Sequence, residues 1–521
     1  MTEQLVAAPV LVALATAVLT LLTRRLGRVQ VGVSLVGVLA YAGVVAALAL
    51  RVFPDASVVP YYLGDWPAPF GIILVADSLS VFMLALTATV AVPTLVFSVR
   101  YVDTFGQQLS YHPLFHFMLV GVSGAFLTGD IFNLFVWFEV MLMSSYVLVV
   151  FYSGPEHTRA ALQYVVLNLI GSAVMLLAIG GLYSTVGTLN MADMAQRLGE
   201  MSGQSLAPVL GLSALLFAVF ALKAGIAPFQ FWVPAAYTAA PSPVTAMLAG
   251  VVKKVGIYAI IRLYFTVFAA AAFPTDLSLP GFTGTGLLDF YGPVLFVMAT
   301  ASILFGGFSA IGRDSIEGVL AYSSIGQVGF IVLPLAVAAT VPAVSALAIS
   351  AALVYSLNHA LAKGMLFLAA GTVRDSVGSS RFNELGGLAA REPVLSGAFF
   401  VGALSLIGIP PLAGFFGKLL VFDTGVQAPS TPVLAIALAG AILTVAYFSR
   451  AWNRGFWGPV SEGVAAASPD RVQVAMLVVL AVGIVAVGVG FDPVFRLAEA
   501  AADAATARPE YVEAVMGGGA A

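Results

Sequence analysis

The sequence predicts an all-α polytopic membrane protein with about fourteen transmembrane helices. Of its 521 residues, 60% are hydrophobic and only 9% are charged, whereas roughly a quarter of the residues in an average soluble domain are charged. Apolar runs long enough to span a bilayer recur along the chain, and two of them are interrupted by matching Gly-Ile-x-Pro motifs. These observations predict the class, the number of spans and an internal repeat.

The composition also excludes several kinds of site. The net charge of −3 is small and no basic patch or zinc spacing is present, so nucleic-acid binding is not indicated. Cysteine is absent, which excludes disulfides, thiolate metal sites and iron–sulfur clusters. The first apolar run continues to Thr23 and the next follows soon after, so we interpret it as a membrane helix and not as a cleaved signal peptide.

The apolar runs place the spans in order along the chain. They lie at roughly 5–23, 29–50, 74–99, 112–128, 131–152, 161–186, 207–240, 243–270, 290–311, 316–338, 342–373, 395–424, 432–457 and 471–491. The tail from Asp492 to Ala521 is rich in alanine with scattered charge, and we expect it to form a short surface helix. No soluble domain is expected.

Arginines in the short loops predict the orientation, because positively charged loops stay in the cytoplasm. With the N-terminus outside, the cytoplasmic loops carry Arg24, Arg25, Arg28, Arg100, Arg159, Arg313, Arg374, Arg381, Arg391, Arg450, Arg454 and Arg471. The external loops then carry little beyond Arg51 and Arg197. Both termini are therefore predicted to lie outside.

Two predicted spans contain helix breakers, in ALKAGIAPFQFWVP (221–234) and LSLIGIPPLAGFFGKLL (404–420). Proline removes a backbone donor, and unsatisfied backbone within a bilayer is tolerated only inside protein or beside water. Asp130 and Asp314 precede the fifth and tenth spans at matching places. Five spans separate the two copies, so a repeat would have opposite topology in its two halves. The alternative is two unrelated proline kinks.

Ionisable side chains occur deep inside the spans, where each costs roughly 2.5–3.5 kcal/mol on insertion. They are Glu139, Lys223, Lys253, Lys254, His359, Lys363 and Lys418. A series of this kind on successive spans indicates proton or ion transfer. His359 and Lys363 are four residues apart and share one helix face. One acid, several lysines and one deep histidine suit a proton relay better than a divalent-metal site.

Structural roles are the alternative for several of these residues. Glu139 could be only the ionic partner of a lysine. Adjacent helical residues point about 100° apart, so at most one of Lys253 and Lys254 is expected on the path. We favour Lys254, which shares a stripe with Tyr258 and Arg262, and leave Lys253 as either a structural charge or a lateral contact. Arg262 is expected to snorkel to the membrane surface.

The remaining polar residues near helix ends are assigned structural roles. Asp77, Asp130 and Asp314 are predicted to cap helix N-termini. His112 and His116 are expected near a membrane interface, without a functional role, and Asp423 is expected to be a surface charge, with an ion-exit group as the alternative.

The assembled features resemble the proton-translocating antiporter-type subunits of respiratory complex I, membrane-bound hydrogenases and Mrp-type multisubunit cation/proton antiporters. The charged spans and the stretch FWVPAAYTAAPSPVTAMLAGVVKKVGIYAIIR (231–262) carry the likeness, which extends over nearly the whole chain. TGDIFNLFVWFEVMLMSSYVLV (128–149) is similar to the D-type subunits of Mrp antiporters.

The resemblance implies an organisation. Residues 1–111 would hold three N-terminal helices, 112–270 a first inverted five-helix repeat, 271–460 a second, and 461–521 the last helix and tail. The seventh and twelfth helices would be broken. The length argues against the much longer A-type subunit, and also against the largest complex I subunit, which adds a lateral helix.

The resemblance also implies roles and partners. Proton-transfer roles would fall to Glu139, Lys223, Lys254, His359, Lys363 and Lys418, whereas Lys253 has no counterpart. Partners would be the A, B, C, E, F and G subunits in a bacterial inner membrane, with H⁺ and Na⁺ or another monovalent cation. No cofactor or metal is implied. The alternatives are a proton-pumping subunit of a redox enzyme of the complex I or hydrogenase type, and a non-conducting scaffold.

Overall fold

The structure is a computed structural model that describes residues 3–152, 154–201, 206–272 and 284–517. Its helices are α1 Gln4–Leu22, α2 Gly27–Val52, α3 Ser78–Tyr101, α4 His112–Leu127, α5 Ile131–Val149, α6 Pro155–Val186, α7 Met191–Glu200, α8 Ala207–Ala224, α9 Trp232–Ala239, α10 Ser242–Ala270, α11 Leu287–Ile311, α12 Ile316–Thr340, α13 Ser345–Val377, α14 Pro393–Ile407, α15 Ala413–Gln427, α16 Thr431–Gly455, α17 Arg471–Val489, α18 Phe491–Thr506 and α19 Arg508–Gly517. An antiparallel hairpin of β1 Val59–Tyr62 and β2 Ile73–Ala76 joins α2 to α3. The sequence did not predict this hairpin or the short helix α7.

The predicted class is confirmed, because twelve helices in the described part of the chain are long and apolar enough to cross a membrane. Two further predicted spans occur as shorter helices. One is α4, with 16 residues, and the other is divided into α14 and α15. The total of fourteen spans stays a prediction.

The centre of the molecule is formed by α10, α12 and α13, which are buried along most of their length. Helices such as α1, α2, α6 and α17 surround them and expose large apolar side chains, among them Leu22, Leu50, Leu177 and Val489. Exposed apolar faces of this kind suit lipid or protein neighbours. Two of these central helices carry three of the five lysines that the sequence singled out, Lys253 and Lys254 on α10 and Lys363 on α13.

Both predicted helix breaks are confirmed. The helix α8 ends at Gly225 with φ 67°, and α14 ends at Gly408 with φ 97°, a left-handed conformation that favours glycine. The N–H of Ile226 bonds to the carbonyl of Ala221 at 3.0 Å, and that of Ile409 to Leu404 at 3.1 Å. These bonds belong to the glycine C-cap that ends each helix.

Matching backbone bridges precede the two breaks. The N–H groups of Ile131 and Met191 bond to Leu189 and Gly129 at 3.0 and 2.8 Å. Those of Ile316 and Phe382 bond to Ser380 and Asp314, each at 3.0 Å. Each bridge joins the two ends of a two-helix unit, as expected for an internal repeat. The repeat boundaries at 112–270 and 271–460 stay predictions, and residues 273–283 of the second lie outside the described residues.

The ends of the helices divide into two groups of contacting loops. In one group Arg100 pairs with Asp470 at 3.0 Å, and Arg374 donates to Tyr101 at 2.8 Å. In the other group Tyr62 on the hairpin donates to the carbonyl of Val515 in α19 at 2.8 Å. The first group contains Arg100 and Arg374, two of the arginines that the sequence predicts to lie on the same side of the membrane.

The predicted helix caps are confirmed at two of three positions. Asp77 and Asp130 accept from the backbone N–H groups of Ser80 and Asn133 at 2.9 and 2.7 Å. The prediction for Asp314 is wrong, because the next residue, Ser315, caps α12. The Asp314 side chain is 77% exposed and pairs with Arg450 and Arg454.

The tail is more deeply packed than the expected surface helix. It forms α18 and α19, in which Tyr511 is buried, and Thr266 of α10 donates to the carbonyl of Ala505 at 2.7 Å. Residues 518–521 lie outside the described residues. The snorkelling prediction for Arg262 is wrong, since its side chain is 2% exposed and pairs with Asp77. Its guanidinium lies 4.9 Å from the centroid of the Tyr511 ring.

His112 and His116 are packed inside the protein, and their expected position near a membrane interface stays a prediction. Both are fully buried. His112 Nδ1 and His116 Nε2 each lie 2.9 Å from the hydroxyl oxygen of Ser34 on α2. This shared contact ties the start of α4 to α2.

The two halves of the second broken helix approach most closely at Gly414. A Cβ atom there would lie 1.7 Å from the carbonyl oxygen of Ser405. We expect Gly414→Ala to destabilise the protein by about 3 kcal/mol through this overlap. Gly397→Ala on α14 is the control, since nothing lies within 4 Å of its Cβ. Thermal unfolding followed by tryptophan fluorescence compares the two, and equal midpoints would contradict the prediction.

Candidate functional site

The lysines form a buried series through the middle of the protein. The chain has five, Lys223, Lys253, Lys254, Lys363 and Lys418, and none is more than 5% exposed. Within the described ranges, no carboxylate is close enough to any of them to form an ion pair. The direct polar contacts of these amines are therefore with hydroxyls, carbonyls, aromatic rings and one imidazole.

Glu139 begins the series on α5 and is partly exposed at the side of the protein. Its Oε1 atom accepts a hydrogen bond from Ser172 on α6. The sequence left open that Glu139 is the ionic partner of a lysine, but no direct contact joins it to Lys223 in this conformation. Each carries a separate hydrogen bond to α6.

Lys223 lies at the end of α8, next to the first break. Its Nζ donates to the Tyr164 hydroxyl at 3.2 Å and lies 5.5 and 5.9 Å from the ring centroids of Tyr164 and Trp232. The Tyr164 hydroxyl also lies 2.9 Å from Ser145 Oγ. Aromatic faces and one hydroxyl thus take the place of a counter-ion.

A polar stripe on α6 connects the surroundings of Glu139 and Lys223. It consists of Tyr164, Asn168 and Ser172, which are spaced four residues apart and so share one helix face. All three are less than 10% exposed. The sequence analysis missed this stripe, although the spacing of polar residues in an apolar span could have indicated it.

The centre of the series is a contact between Lys254 and His359. Lys254 Nζ lies 2.5 Å from His359 Nδ1 and 2.7 Å from the carbonyl oxygen of Ala249. His359 Nε2 is buried without a hydrogen-bond partner among the described residues. The sequence favoured Lys254 over Lys253 on the path but did not predict its contact with His359.

Lys363 shares a face of α13 with His359 but bonds to another helix. Its Nζ donates to the carbonyl of Leu320 at 2.9 Å and to Ser323 Oγ at 2.5 Å, both on α12. Farther along α12, Gln327 accepts from Tyr355 and donates to Tyr447 at 2.7 Å. Polar groups of α12 therefore continue away from the centre.

Lys418 ends the series beside the second break. Its Nζ donates to the carbonyl of Ile407 at 3.1 Å and lies 4.7 Å from the centroid of the Phe330 ring on α12. Asn358, next to His359, accepts from Ser405 at 2.6 Å. The centre and the second break thus share side-chain contacts that the sequence did not reveal.

Lys253 points away from its neighbour Lys254. Its Nζ lies 3.5 Å from the carbonyl oxygen of Ser324 and 5.8 Å from the centroid of the Tyr237 ring. A Cβ atom on Gly225 would lie 3.2 Å from this amine. Lys253 therefore reaches the first break, whereas Lys254 reaches His359.

Taken together, the site is built from groups that can bind and release protons. No group of three or more His, Asp or Glu residues that could hold a metal occurs in the described part of the chain. The polar groups are ones that accept and release protons, or that connect others that do.

Comparison with known proteins identifies relatives over most of the chain. The profile of the NADH:quinone oxidoreductase/Mrp antiporter transmembrane family matches residues 128–444. The D subunit of a Na⁺/H⁺ antiporter from Alkalihalophilus pseudofirmus is 34% identical over 494 residues, covering 94% of each chain. The N subunit of an NADH-quinone oxidoreductase from Desulforudis audaxviator is 36% identical over 446 residues, covering 82% of this chain and 84% of the relative. A chain in the Mrp complex structure from a Dietzia species superposes with a TM-score of 0.87 at 27% identity, covering 99% of both chains.

Proposed function

Because the chain belongs to the NADH:quinone oxidoreductase/Mrp antiporter transmembrane family, we propose that it is the D-type subunit of a multisubunit Na⁺/H⁺ antiporter. In this proposal it is a secondary transporter subunit that conducts protons along the membrane midplane. The proton gradient drives the exchange, and Na⁺ or another monovalent cation moves in the opposite direction.

The observation that carries this proposal is the series of buried lysines without ionic partners. Each buried charge costs roughly 2.5–3.5 kcal/mol on insertion, and a scaffold would gain nothing from five such groups. A lysine amine can take up a proton and release it again. Groups that alternate between charged and neutral forms are what a proton path needs.

We assign roles along this path by residue. Glu139 and Lys223 form a switch at one end, in which the two side chains pair directly in one state and a proton on Glu139 breaks the pair. Lys254, His359 and Lys363 form the central relay. Lys418 is the terminal group. A change in its charge acts on the neighbouring subunit.

The partners in this proposal are the A, B, C, E, F and G subunits of an Mrp-type complex in a bacterial inner membrane. Both termini lie on the outer side, as the arginine-rich loops favour. The arginine contacts of Arg100 and Arg374 with their neighbouring loops support this arrangement.

The second candidate function is a proton-pumping membrane subunit of a redox enzyme. The Desulforudis audaxviator relative, which belongs to an NADH-quinone oxidoreductase, favours it. The antiporter relative aligns over more of both chains, 94% of each, so the antiporter function is the stronger candidate.

The test is to express the complete operon in cells that lack other Na⁺/H⁺ antiporters. Respiration acidifies inverted vesicles, and a pH dye then reports whether added Na⁺, K⁺ or Li⁺ discharges the gradient. We expect discharge with wild type and none with Glu139→Gln, provided that the variant complex assembles normally. If no cation discharges the gradient with wild type, the redox function becomes the better candidate. An active Glu139→Gln complex would make Glu139 structural.

The same assay tests a variant of Tyr164 for which we expect a smaller effect. Tyr164→Phe keeps the ring that packs on Trp232, with centroids 4.9 Å apart, but removes the hydroxyl that binds Lys223. A hydrogen bond to a charged group contributes about 1.5–3 kcal/mol, so we expect Na⁺-dependent discharge to slow about tenfold. Tyr183→Phe on the same helix is the control, because the Tyr183 side chain is 55% exposed. An unchanged rate in Tyr164→Phe would remove Tyr164 from the path.

A further inference from the structure

Lys253 is a buried charge that the assigned path does not use. It is fully buried on α10, and in the described residues its amine makes one long hydrogen bond, 3.5 Å to the Ser324 carbonyl. A cation that only stabilised the fold would be expected to have a carboxylate or several good acceptors. Lys253 has neither in this conformation.

The position of Lys253 lies between the two halves of the protein. Its amine packs against the left-handed turn at Gly225, two residues after Lys223. The same amine contacts Ser324 on α12, the helix whose Leu320 and Ser323 bind Lys363. Lys253 is thus in contact with the first break on one side and with the central relay helix on the other.

Aromatic rings complete the connection to Lys223. Lys223 lies over the Trp232 ring and Lys253 over the Tyr237 ring, at 5.9 and 5.8 Å. The Trp232 and Tyr237 rings are in edge contact, with centroids 6.0 Å apart. Each ring face stabilises an ammonium, so both amines can hold a proton without a carboxylate.

Two buried hydroxyls next to Lys253 lack hydrogen-bond partners among the described residues. They are Tyr237 Oη and Ser324 Oγ. Leaving buried hydroxyls unpaired costs roughly 1–3 kcal/mol each. The ammonium form of Lys253 has three donors, and the neutral amine has two donors and one acceptor, so either form can bond to a hydroxyl.

We propose that Lys253 is a proton carrier between the Lys223 pocket at the first helix break and the central relay of Lys254, His359 and Lys363. In each transfer the Lys253 amine takes up one proton to form an ammonium and then releases it toward the centre. No bond between heavy atoms forms or breaks. This inference rests on the proposed function, since it adds a residue to the same proton path.

The test compares Lys253→Met and Lys253→Arg in the assembled complex. Methionine keeps the apolar stem but cannot bind a proton, and arginine keeps the charge but does not release its proton. We expect both variants to lower the rate of Na⁺-dependent discharge at least tenfold. A structural cation would instead be restored by arginine, so an active Lys253→Arg with an inactive Lys253→Met overturns the proposal.

Glu139→Gln in parallel separates this inference from the proposed function. One outcome overturns only the proposed role of Lys253. In it, wild type discharges the gradient, Glu139→Gln is inactive and Lys253→Met is active. If wild type itself shows no cation-dependent discharge, the proposed function fails. Co-purification of the partner proteins shows assembly, and Lys253→Gln, which is polar and neutral, replaces Lys253→Met in the comparison if the methionine variant does not assemble.

Discussion

Replacing Lys254 with methionine is expected to lower Na⁺-dependent proton transport by on the order of 100-fold or more, the scale of a lost proton-transfer group. Lys254 lies 2.5 Å from His359 Nδ1, and its other acceptor is the Ala249 carbonyl. When the amine donates to Nδ1, the neutral imidazole carries its hydrogen on Nε2. A proton that moves from Lys254 to Nδ1 then leaves from Nε2, so the two residues act as one step.

The contact between Lys254 and His359 provides a control for the Lys254→Met experiment. His359→Gln keeps hydrogen bonding but cannot carry a proton, and we expect it to be as inactive as Lys254→Met. The double variant is expected to be no worse than either single variant, because contacting groups that act as a unit are not additive. Rates from initial gradient discharge in vesicles with equal amounts of complex decide the question. A double variant that is much slower than both singles would show two independent routes.

Asp77→Asn is expected to destabilise the protein by about 3 kcal/mol or more, the scale of a broken buried ion pair. Asn remains a good helix cap, so the contact with Ser80 is retained and the loss comes from the charge. Arg262 would then be left without a carboxylate, 2% exposed, between Tyr258 and Tyr511. The midpoint of thermal unfolding of the purified complex measures the effect.

An exposed ion pair provides the matched comparison. Asp492 and Arg496 pair at 3.0 Å with 71% and 75% of their side chains exposed, and exposed pairs contribute about 0–1 kcal/mol. Asp492→Asn should therefore leave the midpoint nearly unchanged. Adding Arg262→Met to Asp77→Asn should recover part of the lost stability. If Asp77→Asn and Asp492→Asn behave alike, the buried pair is not a stabilising element.

Local patterns in the sequence predicted the features that depend on near neighbours. The breaks at Gly225 and Gly408 follow from glycine and proline within an apolar run. The different directions of Lys253 and Lys254 follow from the angle of about 100° between adjacent helical residues. In both cases the deciding interaction lies within a few residues of the motif or along one helix.

Features that depend on distant segments were missed or were wrong. The ring of Tyr511, almost 250 residues later in the chain, packs against the Arg262 guanidinium. The position of Arg262 near the end of a predicted span therefore could not show that its side chain is buried. The Asp314 cap failed because Arg450 and Arg454 hold its carboxylate outside the helix end. Ser172 next to Glu139 was missed because isolated serines are common in apolar spans.

The burial of all five lysines determines how the folded protein reacts with reagents directed at amines. Apart from four histidines, its other basic side chains are seventeen arginines, so the outer surfaces of the folded chain carry guanidinium groups and no side-chain amines among the described residues. Amine-directed cross-linkers and lysine-specific endoproteases therefore find no side-chain target on the intact subunit. A lysine that is labelled or cleaved therefore identifies a molecule in which the buried lysine series has become accessible to solvent.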